Sequence, residues 1–286
     1  MNQFEMIPLA NKHCATGENP FWNPDDQRIY WSDIPNGKLY RYTPATKFTE
    51  TIYEGEQVGG FTLQANGDLL LFRVTDLSIL DVKTLKVRTV RQFTDQGMNR
   101  FNDVSADPEG RVYAGTMGND LKGGLYRFDP DGSVTKMFEG TNCSNGMGWT
   151  PDLKTMFWTD STAKIIYRFA YDRATGALSN REVFYKAQPE EGTPDGMAVD
   201  GNGEVWSARW NGHAIIHHAA DGKVIEKIPF PVARVSSLCF GGEDGKTAFV
   251  TTAGGSEHPE GEDGTLYQVR MPVAGILDFR SRIPVD

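Results

Sequence analysis

Short runs of Ile, Val, Leu, Tyr, Phe and Trp recur along the chain, each opened by a turn of Pro, Gly, Asp or Asn. Six such segments stand out: NPDDQRIYW from Asn23, QANGDLLLF from Gln64, DPEGRVYAG from Asp107, TPDLKTMFW from Thr150, DGNGEVWSA from Asp200 and GGEDGKTAF from Gly241. Successive openers are 41, 43, 43, 50 and 41 residues apart. Each unit carries a second β-rich run: LYRY ending at Tyr42, LSIL at Leu80, LYRF at Phe128, IYRF at Phe169, IIHH at His218 and LYQV at Val269. A turn and a strand repeating at this period are the signature of a four-stranded propeller blade. Long helical patterns are absent, and the repeats of a linear β stack are usually shorter. The pattern therefore predicts an all-β chain folded as a six-bladed β-propeller around a central axis. With no linker and no shift of composition, one domain is expected over residues 1–286. The first opener comes only at Asn23, so Phe4 to Leu9 are left over. They are expected to add a strand to the last blade and close the ring.

Five residues before each opener stand Glu18, Gly59, Asn102, Asn145, Asp195 and Ser236. Equivalent positions on successive blades form a ring around the axis, and five of these six carry a side-chain oxygen. Carboxylates and carboxamides crowded together are costly to desolvate unless something pairs with them. A hard divalent cation is the natural partner for Asp, Glu and Asn oxygens, and Glu18 with Asp195 would balance its charge. Taken singly, each residue has a duller reading. Asn145-Gly146 and Asp195-Gly196 are ordinary turn dipeptides, and Glu18 alone reads as a surface carboxylate. The shared register favours the joint reading. Arg100 lies two residues before Asn102, so in a regular strand it faces the same cavity and offers a fixed fork of donors; a structural salt bridge is its alternative. By the same alternation Asp103 points away and is taken as structural.

Charge and cysteine usage narrow the partners. With 29 basic and 38 acidic residues the net charge is −9, and there is no basic run to bind a phosphate backbone or an anionic membrane. Neither a nucleic acid nor a membrane is expected as partner. No apolar stretch approaches the roughly 20 residues of a membrane span. The opening MNQFEMIPLANKHC has neither a basic start nor an apolar core, so it does not read as a secretory signal. Cys14, Cys143 and Cys239 are too sparse and too far apart for a disulfide framework or a zinc ribbon. Three reduced thiols in a cytoplasmic protein, monomeric or weakly self-associating, are expected.

The segments GENPFW (17–22), RFND (100–103), GRVYAGTM (110–117), CSNGMGW (143–149), SNREVFY (179–185), PDGM (194–197), CFGG (239–242) and AGG (253–255) carry a resemblance. In this order, across nearly the whole chain, they resemble the regucalcin (senescence marker protein), gluconolactonase and luciferin-regenerating enzyme family of sugar lactonases. The resemblance implies that Glu18, Asn145 and Asp195 bind a divalent metal such as Ca2+, Zn2+, Mn2+ or Mg2+. It also implies that Asp195 is the catalytic base and that Arg100 and Asn102 contact substrate. Two positions depart from the family pattern. Asn19 replaces the Gly of many members, in what resembles a lid segment, and Asn119, a candidate substrate contact, stands where regucalcin-like members place a substrate-contacting Glu.

The implied reaction is hydrolysis of a small sugar lactone, an aldonolactone such as gluconolactone or a pentonolactone, to the aldonic acid. The metal would polarise the carbonyl and lower the pKa of water, and Asp195 would take the water's proton. No GxSxG elbow is present, and no Ser or Cys stands in a motif with a nearby His. His217 and His218 fall in the second β-run of a blade, away from the axis, so neither they nor His213 are expected to form a catalytic dyad. Two other classes remain open: a non-catalytic propeller that binds calcium or a sugar acid, and a protein-binding scaffold with exposed aromatics. Trp22, Trp149 and Trp210 could contribute to such a patch or line the pocket mouth.

Overall fold

The computed structural model describes residues 4–9, 12–255 and 261–285. Its strands form six four-stranded antiparallel sheets, the blades of a propeller. The innermost strands run over Gly17–Asn23, Gly60–Leu63, Met98–Ala106, Ser144–Trp149, Thr193–Val199 and Val235–Gly241. The turn segments in the sequence join each of these strands to the second strand of its blade. Asp107 and Asp200 show why such turns hold. The Asp107 carboxylate accepts bonds from the Glu109 and Arg111 amides, and that of Asp200 from the Asn202 and Glu204 amides and the Trp206 indole. The second β-run of each repeat is the third strand, for example Lys38–Thr43 and Gly123–Phe128. The step of 50 residues falls at the fourth blade, whose outer hairpin, Ile165–Asp172 with Ala177–Lys186, is long.

The leftover N-terminal segment does close the ring. Met6–Pro8 pairs antiparallel with Tyr267–Val269 as the outermost strand of the last blade. Closure by a strand from the other end of the chain fastens the first blade to the last and leaves only the short outer edges of the blades. After that blade, the C-terminal segment crosses the face that carries the turns. Its amides bond to Gly245 and Val199 on one side of the axis, through Gly275 and Ile276. On the other side Ser281 and Arg282 bond to Leu63 and Gly110. The candidate ring lies at the opposite ends of the innermost strands. Apolar residues fill the interfaces between blades, as in the cluster of Leu70, Phe72, Phe101, Val112 and Phe128.

Five of the six innermost strands carry a one-residue bulge where the ring residues sit. The register slips between Glu18 and Phe21, Phe101 and Val104, Ser144 and Met147, Pro194 and Met197, and Val235 and Ser237. A bulge bends the strand and re-aims its side chains. Here the kinks turn successive residues towards the axis, which strict alternation forbids.

The glycines that follow the ring residues serve close approach, not turns. Asn145-Gly146 and Asp195-Gly196 lie inside strands. A Cβ on Gly146 would stand 2.6 Å from the Met197 nitrogen and 2.7 Å from the Asp195 oxygen. Gly146→Ala should therefore push the fourth blade off the fifth and lower stability by about 1–3 kcal/mol, the range for overpacking a close-packed interior. Thermal unfolding of the variant, showing a melting point several degrees lower, is the check.

Candidate functional site

A cavity of about 430 Å³ opens at the ring end of the axis. Its lining includes Glu18, Arg100, Asn102, Asn145 and Asp195, each from a different position on four innermost strands. The same cavity is bordered by Ile34, Met117, Cys143, Ser161, Thr193 and Trp210. Its size is that of a small-molecule site. A second cavity, of about 30 Å³ and lined largely by apolar residues with Asp278, lies towards the end crossed by the C-terminal segment and touches none of these groups.

The polar side chains form one hydrogen-bonded array. Arg100 Nη1 donates to Asn102 Oδ1 at 2.7 Å and to the Phe101 carbonyl at 2.8 Å. Asn102 Nδ2 donates to Asn145 Oδ1 at 2.8 Å and to the Ser144 carbonyl at 2.9 Å. Asn145 Nδ2 in turn donates to Ser161 Oγ, which donates to the Pro194 carbonyl. Asn145 Oδ1 thus keeps one lone pair for a cation, and Arg100 keeps its Nε and Nη2 without a hydrogen-bond partner among the described residues.

Carboxyl groups supply most of the charge. Glu18 and Asp195 are 6% and 5% exposed, and neither has an ion-pair partner within 4.0 Å among the described residues. Burial, then the charge of Asp195 and that of Asp103, raises the Glu18 carboxyl well above the usual range. Burial and the charge of Asp103 raise Asp195 likewise, against the opposing pull of Arg100. Desolvation makes the Arg100 guanidinium less basic than usual, but a guanidinium stays charged.

Asp103 corrects the alternation argument. The bulge between Phe101 and Val104 turns it to the axis, where burial raises its carboxyl to about 7. Its charge is felt by Glu18 and Asp195. The sequence signal was present, an Asp beside a ring Asn, but the bulge was not legible.

Other predicted positions fall elsewhere. Ser236 is buried with its hydroxyl spent on the Gly17 carbonyl and Thr251, and Gly59 offers no side chain. Asn119 is exposed, lies outside the cavity lining and accepts a bond from Asn99 Nδ2 at 3.3 Å. Asn19 belongs to an innermost strand and not to a lid. It has φ 48° and ties the first blade to the second and third, through the Phe61 amide and the Val104 carbonyl. Asn tolerates that left-handed conformation better than most side chains.

His217 and His218 are buried in the third strand of the fifth blade, away from the cavity. His217 comes together with Asp200 and Glu204, one ligand atom of each within 4.8 Å of the others. The Asp200 carboxylate already accepts three hydrogen bonds, and His217 Nε2 pairs with Glu204 at 2.9 Å, so a cation there would have to displace a satisfied network. Trp22 and Trp149 are core residues, whereas Trp210 borders the cavity. The three cysteines are free thiols, with Cys143 at the cavity wall. Among the described residues no helix is long and apolar enough to cross a membrane.

Comparison with known proteins places this geometry in a family. Residues 16–254 match the SMP-30/gluconolactonase/LRE-like region. The chain is 40% identical over 292 aligned positions to pentonolactonase XacC of Haloferax volcanii, covering 96% of this chain and 97% of that protein. It is 36% identical over 263 positions to regucalcin of Xenopus laevis, covering 88% of each. In fold it is similar to the calcium-binding protein regucalcin from Agrobacterium tumefaciens, with a TM-score of 0.91 at 23% identity over 98% of both chains. The chain belongs to the SMP-30/gluconolactonase/LRE-like family.

Proposed function

We propose that this protein is a divalent-metal-dependent sugar lactonase that opens an aldonolactone, such as a pentonolactone or gluconolactone, to the aldonic acid. Kinship with a named pentonolactonase supports the substrate class. The observation that carries the reading is electrostatic. Glu18 and Asp195 line the cavity, buried and without an ion-pair partner among the described residues, and the nearby charge of Asp103 raises both. Carboxyl groups crowded in this way ionise together only when a cation beyond the Arg100 guanidinium compensates them. All-oxygen donors from Glu18, Asn145 and Asp195 suit a hard cation. When bound, such a cation supplies Lewis-acid polarisation of the lactone carbonyl and acidifies water.

The chain's own groups do the rest. Asp195 accepts the proton of the attacking water, so that hydroxide character develops only as the bond to the carbonyl carbon forms. Arg100, with two free edges of its guanidinium, holds ring hydroxyls. Asn102 fixes the Arg100 fork on one side and the Asn145 amide on the other, so its role is chiefly to position both. The hydrogen-bonded array is in place before substrate enters, which keeps reorganisation small.

The test is ring opening followed by proton release on a panel of aldonolactones. Metal-stripped protein is compared with protein resupplied with calcium, manganese, magnesium or zinc. Hydrolysis should vanish on stripping and return with at least one cation, while the panel ranks substrates. Cation binding without turnover of any lactone would replace this reading with a calcium- or sugar-acid-binding propeller.

A further inference from the structure

We infer that Trp210 is the platform on which the lactone ring stacks, and that Arg234 is the positioning residue that holds the indole in place. The inference deepens the lactonase reading and rests on it for the identity of the ring. Among the described residues Trp210 is the one aromatic side chain in the cavity lining, at the end of the strand Val205–Trp210. The other five tryptophans are at most 4% exposed and belong to the blade cores, so Trp210 is the exception that needs a reason.

Its second face is already occupied. The Arg234 guanidinium lies over the indole, 5.5 Å from the ring centroid. Arg234 lines a neighbouring depression of about 330 Å³, whereas Trp210 lines the cavity, so the indole forms the partition between the two spaces. Arg234 is itself tethered, donating from Nη1 to the Gly254 carbonyl at 3.1 Å. Room for that tether depends on Gly255, where a Cβ would stand 1.5 Å from Nη1. A cation against one face of an indole fixes the ring without using its opposite face. Trp210 borders the cavity, and in the inferred arrangement the free face is the one that meets it.

The remaining lining fits this arrangement. Apart from the aliphatic Ile34 and Met117 and the Cys143 thiol, it is of carboxylates, carboxamides, hydroxyls and the Arg100 fork, which suit the hydroxyl edge and the carbonyl of a sugar lactone. The C–H face of such a ring needs an apolar surface, and in this cavity Trp210 is the broad flat one, supported by Thr193 on the adjoining strand. A platform of this kind selects small rings whose hydroxyls lie to one side. It discriminates among aldonolactones by ring stereochemistry and not by chain length.

Two measurements test it on the full chain supplied with its cation. The first is tryptophan emission during titration with a 1,4-anhydropentitol, a five-membered ring ether that keeps the hydroxyls and lacks a carbonyl to attack. Emission of the parent protein should change saturably, and Trp210→Phe should abolish the change, because the buried tryptophans do not meet the ligand. The second is steady-state hydrolysis. Trp210→Ala should raise KM about tenfold with kcat within about threefold, the pattern of lost uniform binding, and Trp210→Phe should recover most of it. Arg234→Gln should raise KM severalfold and Arg234→Lys should restore part of the loss, which a merely structural role would not produce. A wild-type KM in Trp210→Ala, or a wild-type emission change in Trp210→Phe, would overturn the platform. Should no lactone be turned over at all, the lactonase reading fails, and the emission titration still decides whether Trp210 meets a sugar ring.

Discussion

Asp195→Asn should lower kcat by about 10²–10⁴-fold while leaving KM within a few-fold of its parent value. The magnitude is that of removing a general base. The substitution is nearly isosteric and keeps one oxygen aimed into the cavity, so the Asn102–Asn145 array and the Arg100 fork should stand unaltered. What is lost is basicity and one negative charge. Steady-state kinetics on the best lactone of the panel measures the first loss, and calorimetric titration with the activating cation measures the second. Turnover and cation affinity should fall by different factors, since a carboxamide can still offer a ligand oxygen but cannot accept a proton from water. Full turnover in this variant would end the assignment of Asp195 as base. Glu18→Gln is the comparison. Glu18 is held by the Asn19 amide at 3.1 Å and serves the proposed cation, so its loss should be recovered in part by raising the cation concentration. The kcat of Asp195→Asn should not be.

Several features of this site could be seen in the sequence because they ride on a repeat. Glu18, Asn102, Asn145 and Asp195 lie at one fixed offset from the turns that follow four innermost strands, and that offset finds them from sequence alone. The turns were visible because Asp107 and its counterparts must cap backbone amides, which restricts the residue types there. The outermost strands were not. Val87–Gln92 is almost wholly exposed and Phe48–Glu54 buries only Ile52 and Tyr53, so their composition carries little hydrophobic signal, and their pairing to the third strands defines them. Asp103 was lost for a different reason. Alternation puts successive side chains on opposite faces, and a one-residue bulge cancels that rule where function needs it cancelled. Asn19 shows the same limit from the other side. A segment that resembled a lid is a buried strand, because its side chain satisfies backbone groups on two other blades. Register and twist, rather than composition, decide such cases.

Metal-free protein should melt several degrees higher at pH 6.5 than at pH 8, and a saturating activating cation should abolish that difference. The sign follows from the axial carboxyls. Asp103 is raised to about 7, and Glu18 and Asp195 are raised in the same direction, so in this window the folded state holds protons that the unfolded chain has already released. Stability therefore falls as pH rises from the unfolded carboxyl value near 4 through the folded value. Ionising one such carboxyl costs the fold something of order 2–4 kcal/mol, and each kcal/mol moves the melting point by about 2–4 °C in a chain of this size. Below pH 6.5 a second group works the other way. His218 is buried neutral and lowered to about 3, chiefly by desolvation and then by Arg209, so acidification there removes stability. The comparison is confined to pH 6.5–8 for that reason. A bound divalent cation replaces the protons: it compensates the ionised carboxyls at pH 8 and competes with their protonation at pH 6.5, which flattens the profile. Asp103→Asn separates electrostatics from ligation. It removes one buried charge without removing any proposed ligand, so the metal-free variant should gain stability at pH 8 and show a shallower pH profile. A metal-free protein whose melting point rises with pH across this window would mean that the three carboxylates are balanced by some charge other than the proposed cation.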